Sequence, residues 1–300
     1  MVAYEASGQG FGLYDYLVSQ GVECHVLAPT QIPRSVQQRK RKNDDADAEL
    51  ILDVLRGHYL AGHKLPAVRV PSRQLRDDRE ITRAADDVRT KLTEVKVQIQ
   101  CLLKRHQVRR PKESGKGWTS AYRKWLVALS ECDEPLAYGS RAALGSLLRQ
   151  LAWLEAEEKK LLGEVAELAA APRHVESVRG LSKLAGVGVW TALVFLLELG
   201  TPGRFRNRRQ AGAHLGLVPS SADSGETVGK HGHITRQGPA RLRKALCQAV
   251  WARIRSDGQE QAVYERIVKR NPKHKKIAVV ACMRRLAIRL WHEALRSAAG

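Results

Sequence analysis

Two aspartates three positions apart, Asp44 and Asp47, are the residues of this chain best suited to catalysis. The apolar positions between Ala48 and Leu55 predict a helix that buries one side and has both acids in its first turn. Residues at positions i and i+3 of a helix are neighbours, so the two carboxylates would share one face. The pair could be a helix cap with solvated charge, since Asp is favoured there. It could also bind a divalent cation.

A third acid, Glu5, follows the short apolar segment Val2-Ala3-Tyr4, which we predict to be a strand. If the end of that strand and the start of the helix meet, three carboxylates form an oxygen site suited to Mg²⁺ or Mn²⁺. Such sites cleave phosphodiesters by activating water and by stabilising the leaving oxygen. Glu5, Asp44 and Asp47 are therefore the candidate metal ligands.

The charge of the chain indicates a polyanionic partner. The 300 residues carry a net charge of +20, and the part from Lys230 onward holds 17 Lys or Arg against 4 Asp or Glu. No stretch approaches the roughly 18 apolar residues of a membrane span, so we expect nucleic acid and no membrane. The five cysteines are scattered without a C-x-x-C pair, and the first residues lack a basic and an apolar segment, so we expect no export signal. We therefore expect a cytoplasmic protein with reduced thiols.

Three regions differ in pattern. Residues 1–72 alternate strands at 2–5, 22–28 and 67–70 with helices, which predicts a largely parallel α/β sheet domain. Residues 73–171 are predicted to form long coiled-coil helices with a polar linker near 110–120. Residues 172–300 are predicted to be a mostly helical domain with basic helices. The predicted fold class is thus α/β plus α.

The coiled-coil prediction rests on heptad spacing. The two helices could pair within one chain or between two chains, and their sequence does not separate these arrangements. In the second helix Glu158 interrupts the apolar series. The seam positions are Ile81, Ala85, Val88, Leu92, Val95, Ile99 and Leu102 in the first helix, and Leu147, Leu151, Leu154, Leu161, Val165 and Leu168 in the second.

Several groups could contact nucleic acid. A turn containing Gly186 and Gly188, between two predicted helices, could present backbone N–H groups to a phosphate, or could be an ordinary helical connection. Basic residues near the acids and in the last third could hold the backbone, or could be solvated. The basic candidates are Arg34, Arg39, Lys40, Arg41 and Lys42, then Arg236, Arg241, Arg243 and Lys244.

A serine beside a glycine, Ser224-Gly225, lies in a loop near this second basic group. It could attack a phosphate if activated by a base or metal. Serine and glycine are also ordinary turn residues, so the pair by itself does not establish a nucleophile.

Taken together, these motifs resemble the DEDD-type insertion-sequence transposases, which are related to the Piv-type DNA invertases. The resemblance is carried by the start at Tyr4-Glu5-Ala6, by Lys42-x-Asp44-x-x-Asp47-Ala48, by the central coiled coil and by the Gly186-Val187-Gly188 turn. It continues through Gly216-Leu217-Val218-Pro219, Ser224-Gly225 and Gly232-His233-Ile234-Thr235-Arg236-Gln237-Gly238.

The resemblance implies an N-terminal RuvC-like, RNase H-type domain and a C-terminal transposase domain with a helix-hairpin-helix-like turn. In this family four acids bind Mg²⁺, and Glu5, Asp44 and Asp47 would be the second, third and fourth. Ser224 would form a covalent phosphoserine with DNA. A structured bridge RNA can guide such enzymes. We expect DNA as the partner, a dimer or tetramer, and a bacterial cytoplasmic protein associated with the nucleoid.

One departure from the family concerns the first acid. Its strand precedes the Glu-bearing strand, whereas Glu5 is only four residues from the start of this sequence. We therefore expect an incomplete RuvC-like sheet, either from a start assigned too late or from a decayed gene. Two alternatives stay open: a RuvC-type junction nuclease that uses water alone, and a catalytically inactive nucleic-acid-binding remnant.

Overall fold

A computed structural model describes residues 1–32, 44–221, 231–270 and 272–299. The chain divides into two compact units, residues 1–73 and 74–300. In the described part of the chain, no helix is both long and apolar enough to cross a membrane.

The first unit contains a two-stranded parallel sheet. Strand β1 (Val2–Glu5) pairs with β2 (Cys24–Leu27) along its whole length. Helix α1 (Gly12–Ser19) connects the strands and packs on β2, whose residues Val26 and Leu27 are buried. The β-α-β connection that the sequence predicts for this region is confirmed.

The second helix of this unit, α2 (Asp44–Ala61), packs against β1. The third predicted strand, residues 67–70, is wrong. Only Ala67 forms a bridge, and it is antiparallel to Leu27. Pro66 and Pro71 flank this segment, and proline has no N–H to donate to a strand ladder.

Two long helices, α3 (Arg73–Arg105) and α5 (Tyr138–Ala170), form an arm with the shorter α4 (Ser120–Glu131). Their apolar side chains make one buried cluster within the chain, so the seam of α3 is covered by α4 and α5 of the same molecule. The buried members are Val88, Leu92, Val95, Ile99, Leu102, Leu103, Tyr122, Leu126, Leu129, Leu136, Leu144, Leu151 and Leu154.

Glu158, the interruption of the second apolar series, pairs with Arg89 across the two helices, with Nε 2.9 Å from Oε1. The Arg89 guanidinium also lies 4.2 Å from the centre of the Trp190 ring. Each charge of this pair therefore has a partner at the seam, where an isolated carboxylate would be costly.

A second polar contact fastens the base of α3 to the segment after α5. Asp78 is 3% exposed and accepts hydrogen bonds from Arg173 Nη2 at 2.7 Å, Arg173 Nε at 3.1 Å and Gln74 Nε2 at 3.1 Å. His174 Nε2 lies 2.8 Å from Asp78 Oδ2, the oxygen that also accepts from Arg173 Nε. Burial alone would raise the pKa of Asp78, but the hydrogen bonds from Arg173, His174 and Gln74 lower it to about 2.

The remaining helices enclose a larger core, to which the bases of α3 and α5 contribute Ala85, Val165 and Leu168. Helix α7 (Val189–Leu199) is buried on nearly all sides, as its apolar sequence predicts, and Phe195, Leu193 and Leu197 are fully buried. The helices are α6 (Val175–Ser182), α7 (Val189–Leu199), α8 (Arg208–His214), α9 (Ala240–Ser256), α10 (Gly258–Arg270) and α11 (Lys275–Ala299).

A short antiparallel pair lies beside this core. Strand β3 (Pro219–Ser221) pairs with β4 (His231–Ile234), with Pro219 opposite Ile234. The described part of the structure is thus mostly helical with two small sheets, in agreement with the general α/β plus α class. The RuvC-like character of the first unit stays a prediction.

Candidate functional site

The predicted acids lie on two elements that contact each other. Glu5 is the last residue of β1, and Asp44 and Asp47 lie in the first turn of α2, which packs against β1. The side chains of Glu5 and Asp47 are both half-buried. Negative charge is favoured in the first turn of a helix, which stabilises both aspartates there.

The chemistry of the three candidate ligands fits a hard divalent cation, because all three side chains are carboxylates. Among the side chains that the structure describes, no three His, Cys, Asp or Glu residues are grouped closely enough to hold a metal ion. The side chain of Asp44 lies outside that description. Metal binding by Glu5, Asp44 and Asp47 therefore stays a prediction.

Two other parts of the predicted site fall outside the described residues. Ser224 belongs to residues 222–230, and the first basic group belongs to residues 33–43. That group comprises Arg34, Arg39, Lys40, Arg41 and Lys42. Their roles as nucleophile and as nucleic-acid contacts stay predictions.

The framework that holds the Ser224 segment is described, and two glycines build it. Gly216 has φ +65°, and a Cβ there would lie 2.9 Å from the backbone carbonyl carbon of Arg236. A Cβ on Gly238 would collide with the carbonyl oxygen of His214. Only glycine allows the two loops to cross at this separation.

Backbone hydrogen bonds hold the same crossing. Thr235 N–H donates to the Val218 carbonyl at 2.9 Å, and Arg236 N–H donates to the Gly216 carbonyl at 3.3 Å. The two glycine-containing motifs recognised in the sequence are therefore one structural unit, which we call the loop crossing (residues 214–219 and 232–239). It fixes both ends of the segment that carries Ser224.

Arg243, which was predicted to contact nucleic acid, donates hydrogen bonds to carbonyl oxygens of the loop crossing. Its Nη1 donates to the Gly238 carbonyl at 2.7 Å and reaches the Leu215 carbonyl at 3.4 Å. Burial, followed by the charge of Arg236, lowers the pKa of this guanidinium from its usual value. The structure thus gives Arg243 a supporting role that its sequence position did not indicate.

Two further predicted contacts, Arg241 and Lys244 of α9, form ion pairs with α3. Lys244 Nζ lies 2.7 Å from Asp86 Oδ1, and Arg241 Nη2 lies 2.5 Å from Asp87 Oδ1. Part of their charge is therefore compensated within the chain. Arg236 differs from them, because its exposed side chain forms no ion pair with any residue that the structure describes.

The Gly186 turn packs against α9. Gly186 has φ +77°, and a Cβ there would lie 2.6 Å from the Ala249 carbonyl oxygen and 2.9 Å from the Arg253 nitrogen. Arg253 Nη1 also donates to the Ala185 carbonyl at 3.1 Å. Gly188 is exposed and precedes the first residue of α7. Phosphate binding by Gly186 and Gly188 stays a prediction beside this packing role.

A basic surface that the net charge of the sequence does not locate lies where α10 ends and α11 begins. Its six side chains are all exposed, and none forms an ion pair within the described ranges. The closely spaced cations around Pro272 were the available signal. We call it the α10–α11 surface; it consists of Arg266, Lys269, Arg270, Lys273, Lys275 and Lys276.

Each of the two compact units contains residues that match a protein-family model. Residues 1–107 match a family model described as a transposase, and residues 178–265 match the model of the transposase IS116/IS110/IS902 family. The second match includes the loop crossing and the segment that carries Ser224. The first includes β1 and α2 with the three candidate acids.

Curated relatives agree. The chain is 32% identical over 248 residues to the putative transposase y4qE of Sinorhizobium fredii, covering 83% of this chain and 57% of that protein. It is 29% identical over 311 residues to the putative transposase y4rJ of the same organism, covering 97% of this chain and 76% of the relative. The transposase for insertion sequence element IS1533 of Leptospira borgpetersenii is 29% identical over 196 residues, which are 65% of this chain and 54% of the relative.

The chain therefore spans only part of the length of these relatives. Two family models cover most of it in the expected order, and each covers the motifs from which the resemblance was recognised. The chain belongs to the DEDD-type transposases of insertion sequences.

Proposed function

We propose that this chain cuts and rejoins DNA strands during movement of an insertion sequence, with Ser224 as the nucleophile. The observation that carries the proposal is the loop crossing. It holds both ends of the Ser224 segment within the residues that match the IS116/IS110/IS902 transposase model. A nuclease that uses water alone has no need of a serine in this segment.

The reaction conserves phosphodiester bonds. The Ser224 hydroxyl oxygen attacks a backbone phosphorus, so one P–O bond forms to serine and the bond to the leaving sugar oxygen breaks. The serine proton is taken up by a base, and the leaving oxygen acquires a proton. Attack by a sugar hydroxyl on the phosphoserine reverses the step and joins strands, with no external energy source.

The chain's own residues would position these groups. Glu5, Asp44 and Asp47 would hold a Mg²⁺ or Mn²⁺ ion, which supplies Lewis-acid stabilisation of charge on the leaving oxygen. Gly216 and Gly238 keep the Ser224 segment on its support, while Arg243 fixes the carbonyl oxygens of that support.

DNA binding is assigned first to the α10–α11 surface and to Arg236. Both are exposed, whereas Arg241 and Lys244 are paired with acids of α3. Uncompensated cations release condensed counterions when they meet phosphates, and this release supplies most of the non-specific affinity. Guidance by a bridge RNA, assembly as a dimer or tetramer, and a location at the nucleoid stay predictions from the resemblance.

The nucleophile is tested by trapping the covalent intermediate. The longest reading frame that contains this chain is incubated with nicked DNA and Mn²⁺, then analysed on a denaturing gel. Ser224→Ala should abolish the covalent protein–DNA species without changing DNA affinity. Ser221→Ala is the matched control and should retain the species. Loss with Ser221→Ala but not with Ser224→Ala would show that the wrong serine was assigned.

Metal binding is tested separately, by titrating Mn²⁺ and measuring the free ion by electron paramagnetic resonance. We expect weak binding, because three carboxylates are a small ligand set for an ion that retains several waters. Asp44→Asn with Asp47→Asn should weaken it further. Asp53→Asn, on the exposed side of the same helix, should not. Equal binding by all variants would remove the acids from the proposal.

A further inference from the structure

The far end of the arm, residues 104–124, is far more basic than the rest of the arm. It contains eight Lys or Arg and a single acid, Glu113. We call these residues the arm tip. Six of the cations are exposed, and within the described part of the chain none of the six forms an ion pair: Lys104, Arg105, Arg109, Lys112, Lys116 and Lys124.

The arm tip also contains a cavity of about 600 Å³. Its polar walls are cations and carboxamides, and no acid lines it. Solvated protein surfaces normally mix both signs of charge, so a concave site with one sign alone is suited to an anion. The lining residues are Gln100, Leu103, Lys104, Gln107, Val108, Arg109, Arg110 and Tyr122.

One wall of the cavity, Arg110, is held by contacts within the chain. Arg110 Nε donates to Ser114 Oγ at 2.9 Å, and its Nη2 donates to the Ser114 carbonyl at 3.1 Å. The guanidinium lies 3.8 Å from the centre of the Tyr122 ring, which is only 3% exposed. A guanidinium held in this way loses little conformational entropy when it meets a phosphate.

The position of the arm tip is also informative. Ala85 belongs to the large C-terminal core, and helix α3 continues from there to Arg105. At 1.5 Å per residue this length is about 30 Å, close to the roughly 34 Å of one turn of B-DNA. Cations at the arm tip can therefore reach phosphates that lie beyond the surface of the core.

We propose that the arm tip binds the sugar–phosphate backbone of duplex DNA, as a second contact beyond the one made by the α10–α11 surface. The choice of DNA rests on the proposed function. The geometry itself indicates phosphates in a fixed arrangement, because the cavity wall is preorganised and the exposed cations surround it.

The test compares two variants with the same loss of charge. The tip variant is Lys104→Gln, Arg109→Gln and Lys112→Gln. The control variant is Lys91→Gln, Lys159→Gln and Lys160→Gln, which removes three exposed cations from the sides of the same arm. Affinity for a duplex of about 40 base pairs, roughly four helical turns, is measured by fluorescence anisotropy between about 50 and 200 mM salt.

We expect the slope of log affinity against log salt to fall by up to about 2.7 for the tip variant, at about 0.9 per phosphate contact. The control variant should keep the slope of the unmodified chain. Hydroxyl-radical footprinting should show that the tip variant alone loses protection at one edge of the site. If the tip variant unfolds at a lower temperature, Lys116→Gln with Lys124→Gln replaces it, since neither residue lines the cavity.

Equal slopes and equal footprints for the tip and control variants would overturn the inference. A tip variant that loses affinity for duplex RNA while keeping its affinity for DNA would overturn the assignment to DNA. Failure of the proposed function is distinguished by the Ser224 experiment. A chain that binds duplex DNA without forming a Ser224-dependent covalent species would refute that function. The arm-tip inference would still be tested by the salt slopes of the tip and control variants.

Discussion

Gly216 and Gly238 show why single residues recognised as a motif are needed in the structure. Each occupies a position where the other loop's backbone leaves no room for a Cβ. Gly216 also has a positive φ, which side chains other than glycine rarely adopt. The motif residues therefore act on Ser224 through the loop crossing and need not touch DNA.

Gly216→Ala should destabilise residues 74–300. The left-handed backbone and the 2.9 Å approach to Arg236 should together cost about 1–3 kcal/mol in the free energy of unfolding. Chemical denaturation measures this. Gly139→Ala is the control, because that glycine is helical and a Cβ there would meet nothing within 4 Å. It should be neutral or stabilising. Equal unfolding free energies for the Gly216 variant and the unmodified chain would contradict the tight crossing.

Asp78 should make stability depend on pH in the acid range. Its pKa in the folded chain is about 2, below the roughly 3.9 of an unfolded aspartate. The folded state thus binds fewer protons, so the contribution is complete above about pH 4 and is lost as the pH falls toward 2. A shift of this size corresponds to about 3 kcal/mol.

The measurement is urea denaturation of the chain and of Asp78→Asn between pH 2 and about pH 5. The difference in unfolding free energy between the two should shrink toward the acid end. A constant difference across this range would show that the contacts with Arg173 and His174 do not lower the pKa of the carboxyl group.

At the scale of the elements, the basic side chains of α9 and those of the α10–α11 surface differ in whether they have acid partners. The cations Arg241 and Lys244 of α9 are paired with Asp86 and Asp87, which links α9 to α3. The cations of the α10–α11 surface have no such acid partners in the described ranges and face solvent.

Neutralising the two kinds should therefore have different effects. Lys273→Gln with Lys275→Gln and Lys276→Gln should lower the salt slope of DNA binding by up to about 2.7, with little change in stability. Arg241→Gln with Lys244→Gln should lower stability by about 1 kcal/mol, since each removes a part-exposed ion pair. Anisotropy and denaturation on both variants decide this. If instead the α9 variant lowered the salt slope and the α10–α11 variant lowered stability, the DNA contact would be assigned to α9.

The sequence was sufficient for the elements whose pattern is local. Heptad spacing identified the buried side of α3, and the apolar run identified α7 as core. It failed for residues 67–70, where flanking prolines leave a single bridge. The sequence also could not predict which distant side chains form ion pairs. Asp86 and Lys244 are 158 positions apart, and only the tertiary fold shows that they meet.

The same limit applies to the candidate site. Spacing was enough to propose Asp44 and Asp47 as neighbours, and the structure adds that the helix carrying them contacts the strand that ends at Glu5. The joint role of Gly216 and Gly238 could not be predicted, because a motif does not show that its two halves cross in space.

At the scale of the whole molecule, the candidate acids and the serine segment belong to different compact units. Residues 74–300 contain both apolar clusters, the arm tip and the α10–α11 surface. A fragment of these residues should unfold cooperatively, bind DNA with most of the salt slope of the whole chain, and form no covalent species. Thermal unfolding, anisotropy and denaturing gels measure these properties.

The fragment also tests the basic run near the acids. If all five cations Arg34, Arg39, Lys40, Arg41 and Lys42 contact phosphates, removing them should instead reduce the slope by about 4 to 5, at about 0.9 per contact. A reduction of that size would move the main DNA contact to the first unit. A covalent species formed by the fragment alone would exclude the acids from the chemistry.

The ion pairs of Asp86 and Asp87 have a mechanical consequence. Helix α3 is continuous from these residues to Arg105, a lever about 29 Å long at 1.5 Å per residue. At the other end of this length, Asp86 and Asp87 form ion pairs with Arg241 at the start of α9, which directly follows the loop crossing. An angular play of about 10° there would swing the tip by about 5 Å over that length. A displacement of the arm tip, for example on binding DNA, would thus be transmitted through these ion pairs to the loop crossing. Spin labels on tip and core should give a broader distance distribution in Asp86→Asn with Asp87→Asn, and an unchanged width would mean that these ion pairs do not restrain the arm.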